Sequence, residues 1–266
     1  MILRYLLFFV FKLFPINSCK ILFISHLGKN YSCNPKYLCE YILKHNSGKY
    51  KLIYLYDPIN CNPQIIPKEI KAVSIYSKRF IFELSTCGWL VSNTRIPEWF
   101  NFIPRNKQHY IQTWHSSLRL KKIEKDANLD DQYREFAKND STKISIIISG
   151  CRFSSIIFSK SFWFNGLILE VGTPRIDYLL NVTADDKQKL YRKSVLDPNF
   201  HYVLYAPTFR NSADISVYNI DYEYLVTNLE KKFGGTWKIL FRIHPNLKDI
   251  IKVSDLTNNC IDVSNY

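Results

Sequence analysis

The chain has 266 residues, of which 47% are hydrophobic and 15% aromatic, enough apolar material for one large or two medium folded domains and too much for a disordered chain. Lys and Arg number 36 against 23 Asp and Glu, a net charge of +13 that favours an anionic partner such as a phosphate-rich substrate or an acidic membrane surface. No zinc-finger spacing, RNP-like strand or basic zipper argues for nucleic acid as that partner, and seven scattered cysteines without a CxxC pair read as reduced thiols rather than a disulfide frame or a zinc site.

The opening segment MILRYLLFFVFKLFP is shorter than the roughly 20 residues a spanning helix needs, and Lys12 interrupts it. No small-residue cleavage site follows, which argues against a secretory leader. Two readings stay open for residues 1–17: a first helix packed on the sheet, or an interfacial helix whose Arg4, Lys12 and Lys20 meet anionic headgroups.

Lys20 to Ser25 is a continuous apolar run, as expected of a strand buried on both faces of a parallel sheet. Asn34 and Pro35 then suit the start of a helix through Ile42. Strands are predicted at Lys51–Tyr56, Ala72–Tyr76 and Trp89–Val91, with a helix over Lys78–Cys87. This alternation is that of a doubly wound α/β domain, and neither GxGxxG nor GxxxxGK[ST] occurs in it.

The stretch IQTWHSSLRLKKIEKD follows, from Ile111 to Asp126. The predicted strand Tyr110–Thr113 delivers His115 to the sheet edge, where open α/β sheets bind ligands. Histidine titrates near neutral pH and can serve as a base. Arg119, Lys121, Lys122 and Lys125 beside it would suit a phosphate, with Lys121 and Lys122 at a helix start facing either solvent or that phosphate. The plainer alternative is a core histidine beside the Trp114 indole, followed by a solvated helix face.

Helices are predicted near Asp131–Lys138 and Arg152–Phe162, with strands at Ile144–Ser149 and Ile168–Val171. The latter ends in Gly172-Thr173-Pro174-Arg175, where Arg175 could reach an anion or simply sit on the surface. Polar residues Asn181 to Asn199 suggest a domain boundary. A second alternation begins at Tyr202–Ala206, which ends in Pro207-Thr208-Phe209-Arg210. A helix over Asp221–Phe233, a strand Lys238–Arg242 leading into Ile243-His244, and a strand Cys260–Val263 complete it. The expected division is therefore residues 1–17, 18–182 and 200–266, the last looking unfinished beside the five or six strands usual in such a domain.

Five blocks in this order resemble the CDP-glycerol glycerophosphotransferase family of teichoic-acid and capsule polymerases. They are GKNYSCNPKYLCEYIL (Gly28 to Leu43), QTWHSSLRLKKIEKDA (Gln112 to Ala127), SGCRFSSIIFSKSFWFNGLILEVGTPRIDYLL (Ser149 to Leu180), YAPTFR (Tyr205 to Arg210) and RIHPNL (Arg242 to Leu247). The resemblance implies a GT-B-like α/β fold of two doubly wound parallel-sheet domains facing a cleft. It also implies transfer of glycerol phosphate from CDP-glycerol to a hydroxyl of a membrane-linked polyol-phosphate or polysaccharide acceptor. No cofactor is expected and metal dependence stays open, while the +13 charge and the apolar first segment suggest a peripheral protein at the cytoplasmic membrane face. The family's two important histidines fall on His115 and His244, expected to converge on that cleft, and its phosphate-facing cations on Arg210 and Arg242. Arg175, Thr208, Lys121 and Lys122 are the further expected substrate contacts. The chain departs from the family at Ser116 and Ser117, where glycine and a small residue are usual, and at Ile176, where asparagine is usual. It also stops where a serine-rich segment would follow, so a C-terminally shortened member is expected. A nucleotide-sugar transferase of the same architecture and a non-catalytic remnant binding an anionic partner stay open as alternatives.

Overall fold

The computed structural model describes residues 2–46, 48–116, 118–207, 218, 220–243 and 258–264, with side chains from residue 6 onward. Of the residues singled out above, Ser117, Thr208, Arg210 and His244 lie outside the described ones. The chain divides into two compact units, Met1–Asn181 and Val182–Tyr266.

The first unit begins with α1 (Ile2–Phe11) and continues through β1 (Asn17–Ile24), α2 (Cys33–His45), β2 (Lys51–Tyr56), β3 (Lys71–Ser74), α3 (Lys78–Thr86), β4 (Cys87–Ser92), β5 (His109–Gln112), α4 (Asp131–Ser141), β6 (Ile146–Ser149), α5 (Arg152–Ser161), β7 (Leu167–Glu170) and α6 (Pro174–Leu180). Its seven strands form one sheet in the order β3-β2-β1-β4-β5-β6-β7, with every neighbouring pair parallel. Successive side chains of a strand point to opposite faces. In β1, Leu22 and Ile24 accordingly join a core with Ile53, Leu55, Phe80 and Phe100, while Ile21 and Phe23 join a second with Tyr31, Leu52 and Tyr54. Both faces are thus apolar, which is why the strand reads as an unbroken hydrophobic run. Each fully buried Leu, Ile or Phe adds about 1.5–3 kcal/mol of hydrophobic stabilisation.

α1 packs on α3. Phe8 is buried in the first core, and Phe11 meets Phe82 edge-on at 5.4 Å. The Arg105 guanidinium holds the end of the segment by donating to the carbonyl oxygens of Lys12, Phe14 and Ser85. The opposite side of the segment is open, with Leu6, Phe9, Val10 and Leu13 exposed. No helix among the described residues is long and apolar enough to cross a membrane. Lys20, expected at a membrane surface, is only 6% exposed and pairs instead with Glu83 at 2.6 Å.

The second unit contains α7 (Ala184–Lys193), β8 (His201–Tyr205), α8 (Tyr222–Phe233), β9 (Trp237–Phe241) and β10 (Cys260–Asp262), the strands forming a parallel sheet in the order β10-β9-β8. Tyr218, Tyr222, Val226, Ile239, Phe241 and Ile243 form its core. α7 occupies the polar stretch from which no helix was expected. A capping box starts it, with Thr183 and Asp186 bonded reciprocally, but none of its residues is buried, so it lacks the apolar stripe that marks a helix in sequence.

Candidate active site

In the seven-stranded sheet the chain runs outward from β1 to β2 and β3, then returns to β4 on the other side of β1. This reversal is the place where doubly wound sheets open a crevice at the C-terminal strand ends. His26 follows β1, Asn93 follows β4, and His115 lies three residues beyond β5.

Asn93 is fully buried and links all three. Its Oδ1 accepts from the backbone N–H of His26 at 2.8 Å, so its Nδ2 is the donor toward His26 Nε2 at 3.0 Å. Its carbonyl oxygen lies 2.9 Å from His115 Nδ1. A carbonyl can only accept, so Nδ1 of His115 carries the proton. Nε2 of the neutral ring is then left with a free lone pair. The two imidazole centroids are 5.9 Å apart. His115 is reached by solvent on one side and crowded by protein on the other. Burial holds its pKa below the ordinary imidazole value, the Asn93 bond opposes this, and the His26 and Arg175 charges add to the lowering. The ring is therefore in its basic form at neutral pH.

Arg175, at the second position of α6, enters the same site. Its backbone N–H donates to Asn34 Oδ1 at 3.2 Å, and its Nη1 lies 3.5 Å from Cys33 Sγ. Asn34 in turn donates from Nδ2 to the carbonyl oxygens of Thr113 and Trp114. Asn34 thus ties the first turn of α2 and α6 to the chain leading into His115. Burial pushes the Cys33 thiol up, but bonds with His26, Asn93 and the Asn34 backbone, with the Arg175 charge, outweigh it and bring the thiol down to about 7. A cavity of about 540 Å³ lies here, lined by His26, Ser32, Cys33, Tyr37, Arg175 and the outer face of α6. His26, Leu27, Cys33 and Trp114 all have positive φ, at 45°, 58°, 58° and 49°. Backbone in this region costs a non-glycine residue of order 1–3 kcal/mol and tends to cluster at functional sites.

The segment after His115 is anchored from below. Arg95 donates to Glu124 Oε2 from both Nε (2.9 Å) and Nη2 (2.6 Å) and reaches Asp140 Oδ2 at 3.1 Å. All three side chains are almost wholly buried. Trp114 packs edge-on against Phe162 at 4.8 Å, a packing role for the indole. Lys121 and Lys122 are exposed, but no helix begins with them; α4 starts only at Asp131, capped by Asp130. Arg119 is paired with Asp126 at 2.6 Å.

The structure therefore brings Arg175 to His115 and leaves Lys121 and Lys122 in an exposed loop. Arg242 follows β9 in the second unit, exposed, beside an apolar hollow of about 200 Å³ lined by Val195, Leu196, Leu204, Leu240 and Val263. Sequence reasoning missed His26, Asn93 and Cys33. The available signal was position: Ser25-His26, Ser92-Asn93 and Thr113-Trp114-His115 each end an apolar strand in polar residues.

A family model described as CDP-glycerol:poly(glycerophosphate) glycerophosphotransferase matches residues 6–266. The chain is 31% identical over 258 residues to the teichoic acid poly(glycerol phosphate) polymerase of Staphylococcus epidermidis, an alignment covering 92% of this chain and 35% of that protein. It thus spans about a third of that relative's length. Among solved structures, that of the wall teichoic acid polymerase TagF matches with a TM-score of 0.81 and 29% identity, over 99% of this chain and 66% of that one. A TagF variant with histidine replaced by asparagine, soaked with CDPG, matches with a TM-score of 0.80 at 29% identity, over 99% and 65% of the two chains.

Proposed function

The chain belongs to the CDP-glycerol:poly(glycerophosphate) glycerophosphotransferase family, and its fold is accordingly α/β and GT-B-like. From that premise we propose that it transfers glycerol phosphate from CDP-glycerol to a hydroxyl of a membrane-linked acceptor, a teichoic acid or capsular polymer, and releases CMP.

The observation that carries this reading is the Nδ1-protonated, basic His115 beside Arg175 at the topological switch point. The acceptor hydroxyl attacks the phosphorus that bears glycerol, its proton passes to His115 Nε2, and the bond from that phosphorus to the CMP oxygen breaks with its electron pair leaving on CMP. General-base help of this kind is worth about 10²–10⁴-fold. Arg175 supplies positive charge to the phosphoryl group, and Lys121 and Lys122 attract the anionic acceptor. His244, Thr208, Arg210 and Arg242 are proposed to serve the diphosphate of the donor, so that residues 18–182 carry the acceptor chemistry and 200–266 the donor contacts.

We further assign the protein to the cytoplasmic face of the membrane as a peripheral protein. The exposed Leu6, Phe9, Val10 and Leu13 of residues 1–17 would lie in the interfacial layer. The purified chain, given CDP-glycerol and a lipid-linked glycerol phosphate primer, is expected to release CMP in proportion to primer extension. Absence of both CMP release and CDP-glycerol binding would contradict the reading.

A further inference from the structure

A second cavity, of about 520 Å³, opens at the other end of the sheet, at the starts of β1, β2 and β3. Lys20 and Lys51 are direct register partners there, and Lys71 pairs with Ile53 on the far side of β2. With Arg79 of α3 they bring four cations to the cavity, against the carboxylates of Glu69 and Glu83. Glu83, its side chain 2% exposed, is shared by Lys20 (2.6 Å), Lys71 (3.2 Å) and Arg79 (2.6 Å). One carboxylate cannot neutralise three cations, and Lys71 and Arg79 remain about half exposed. Lys51 is exposed as well.

The same cavity is lined by Phe14 and Pro15, the residues just after α1. The Phe82 ring joins the two parts. Phe11 and Phe14 meet it edge-on at 5.4 and 5.6 Å, while Lys20 Nζ and Arg79 Cζ sit 4.8 and 5.1 Å from its centroid. Cations beside exposed apolar residues are the chemistry of an anionic lipid surface: phosphate for the charges, acyl chain for the hydrocarbon. A soluble phosphate would use the cations and leave the exposed Phe9 and Leu13 unused.

We infer that this cavity is a headgroup site for an anionic phospholipid, with the phosphate held by Lys51, Lys71 and Arg79 and the acyl region reached by Phe9, Leu13 and Phe14. The inference rests on the proposed membrane contact of the first segment and names the lipid chemistry it requires.

Co-sedimentation of the full chain with phosphatidylcholine vesicles, with and without phosphatidylglycerol, tests it. Preferential binding to the anionic vesicles is expected. Lys51→Gln/Arg79→Gln should reduce it by at least about tenfold, since each cation near such a surface contributes about 1 kcal/mol. Lys187→Gln/Lys231→Gln, an equal charge change at exposed positions of the second unit, should change it by less than about twofold. Equal losses in the two double variants would overturn the headgroup site while leaving membrane contact intact. Phe9→Ser/Leu13→Ser should weaken binding to both vesicle types, and no binding to either by the unaltered chain would overturn the membrane reading and the site with it. Equal binding to the two vesicle types, together with inorganic phosphate binding to the unaltered chain that is lost in Lys51→Gln/Arg79→Gln, would identify a soluble anion as the ligand and end the lipid assignment.

Discussion

At the scale of single residues, the proposed chemistry depends on one carbonyl oxygen. The backbone of Asn93 fixes the His115 tautomer while its side chain holds His26, so one buried residue sets two imidazoles. His115 was legible because it closes an apolar run and precedes a basic tract. Asn93 was not, because an asparagine after a strand reads as turn chemistry, and only the strand order makes it a neighbour of His115. When His26 takes up a proton, its charge lowers the His115 pKa. In His26→Gln that contribution is lost and the His115 pKa rises. The base must be neutral to act, so the acid limb of the kcat/KM profile should move to higher pH. A limb that moves to lower pH, or stays, would contradict the proposed coupling.

At the scale of elements, the strand runs and most helices were legible within a few residues. Fully buried strands leave an unbroken apolar signature, and α3, α4 and α8 begin at side-chain caps on Ser77, Asp130 and Asp221. The path from Trp114 to Asp126 was not legible. Its basic tract suggested a helix start, whereas Glu124, at φ 53°, is buried and held by Arg95. That clamp holds the segment carrying His115. Arg95→Met leaves the Glu124 and Asp140 carboxylates buried without their cation, at a cost of about 3–5 kcal/mol. Urea unfolding should show a loss of that size in the unit Met1–Asn181. A loss below about 1 kcal/mol would mean that the clamp is not a structural determinant. Gly28 sets a second constraint, since at φ +88° a Cβ would come 2.7 Å from the Asp57 backbone nitrogen.

At the scale of the molecule, the two alternations emerge, among the described residues, as a seven-stranded and a three-stranded parallel sheet. The strand order was beyond the sequence, because parallel strands are joined by long crossover connections and nothing local specifies on which side of β1 the chain returns. That return makes the switch point, places His26, Asn93 and His115 on one edge, and leaves the cationic cavity at the other. In the proposed reaction His115 removes the acceptor proton while other residues hold the donor. The most direct measurement compares His115→Gln with the unaltered chain for both CMP release at saturating CDP-glycerol and the CDP-glycerol Kd. Turnover is expected to fall by about 10²–10⁴-fold while Kd changes by less than about threefold. Undiminished turnover in His115→Gln, or a fall explained entirely by weaker CDP-glycerol binding, would contradict it.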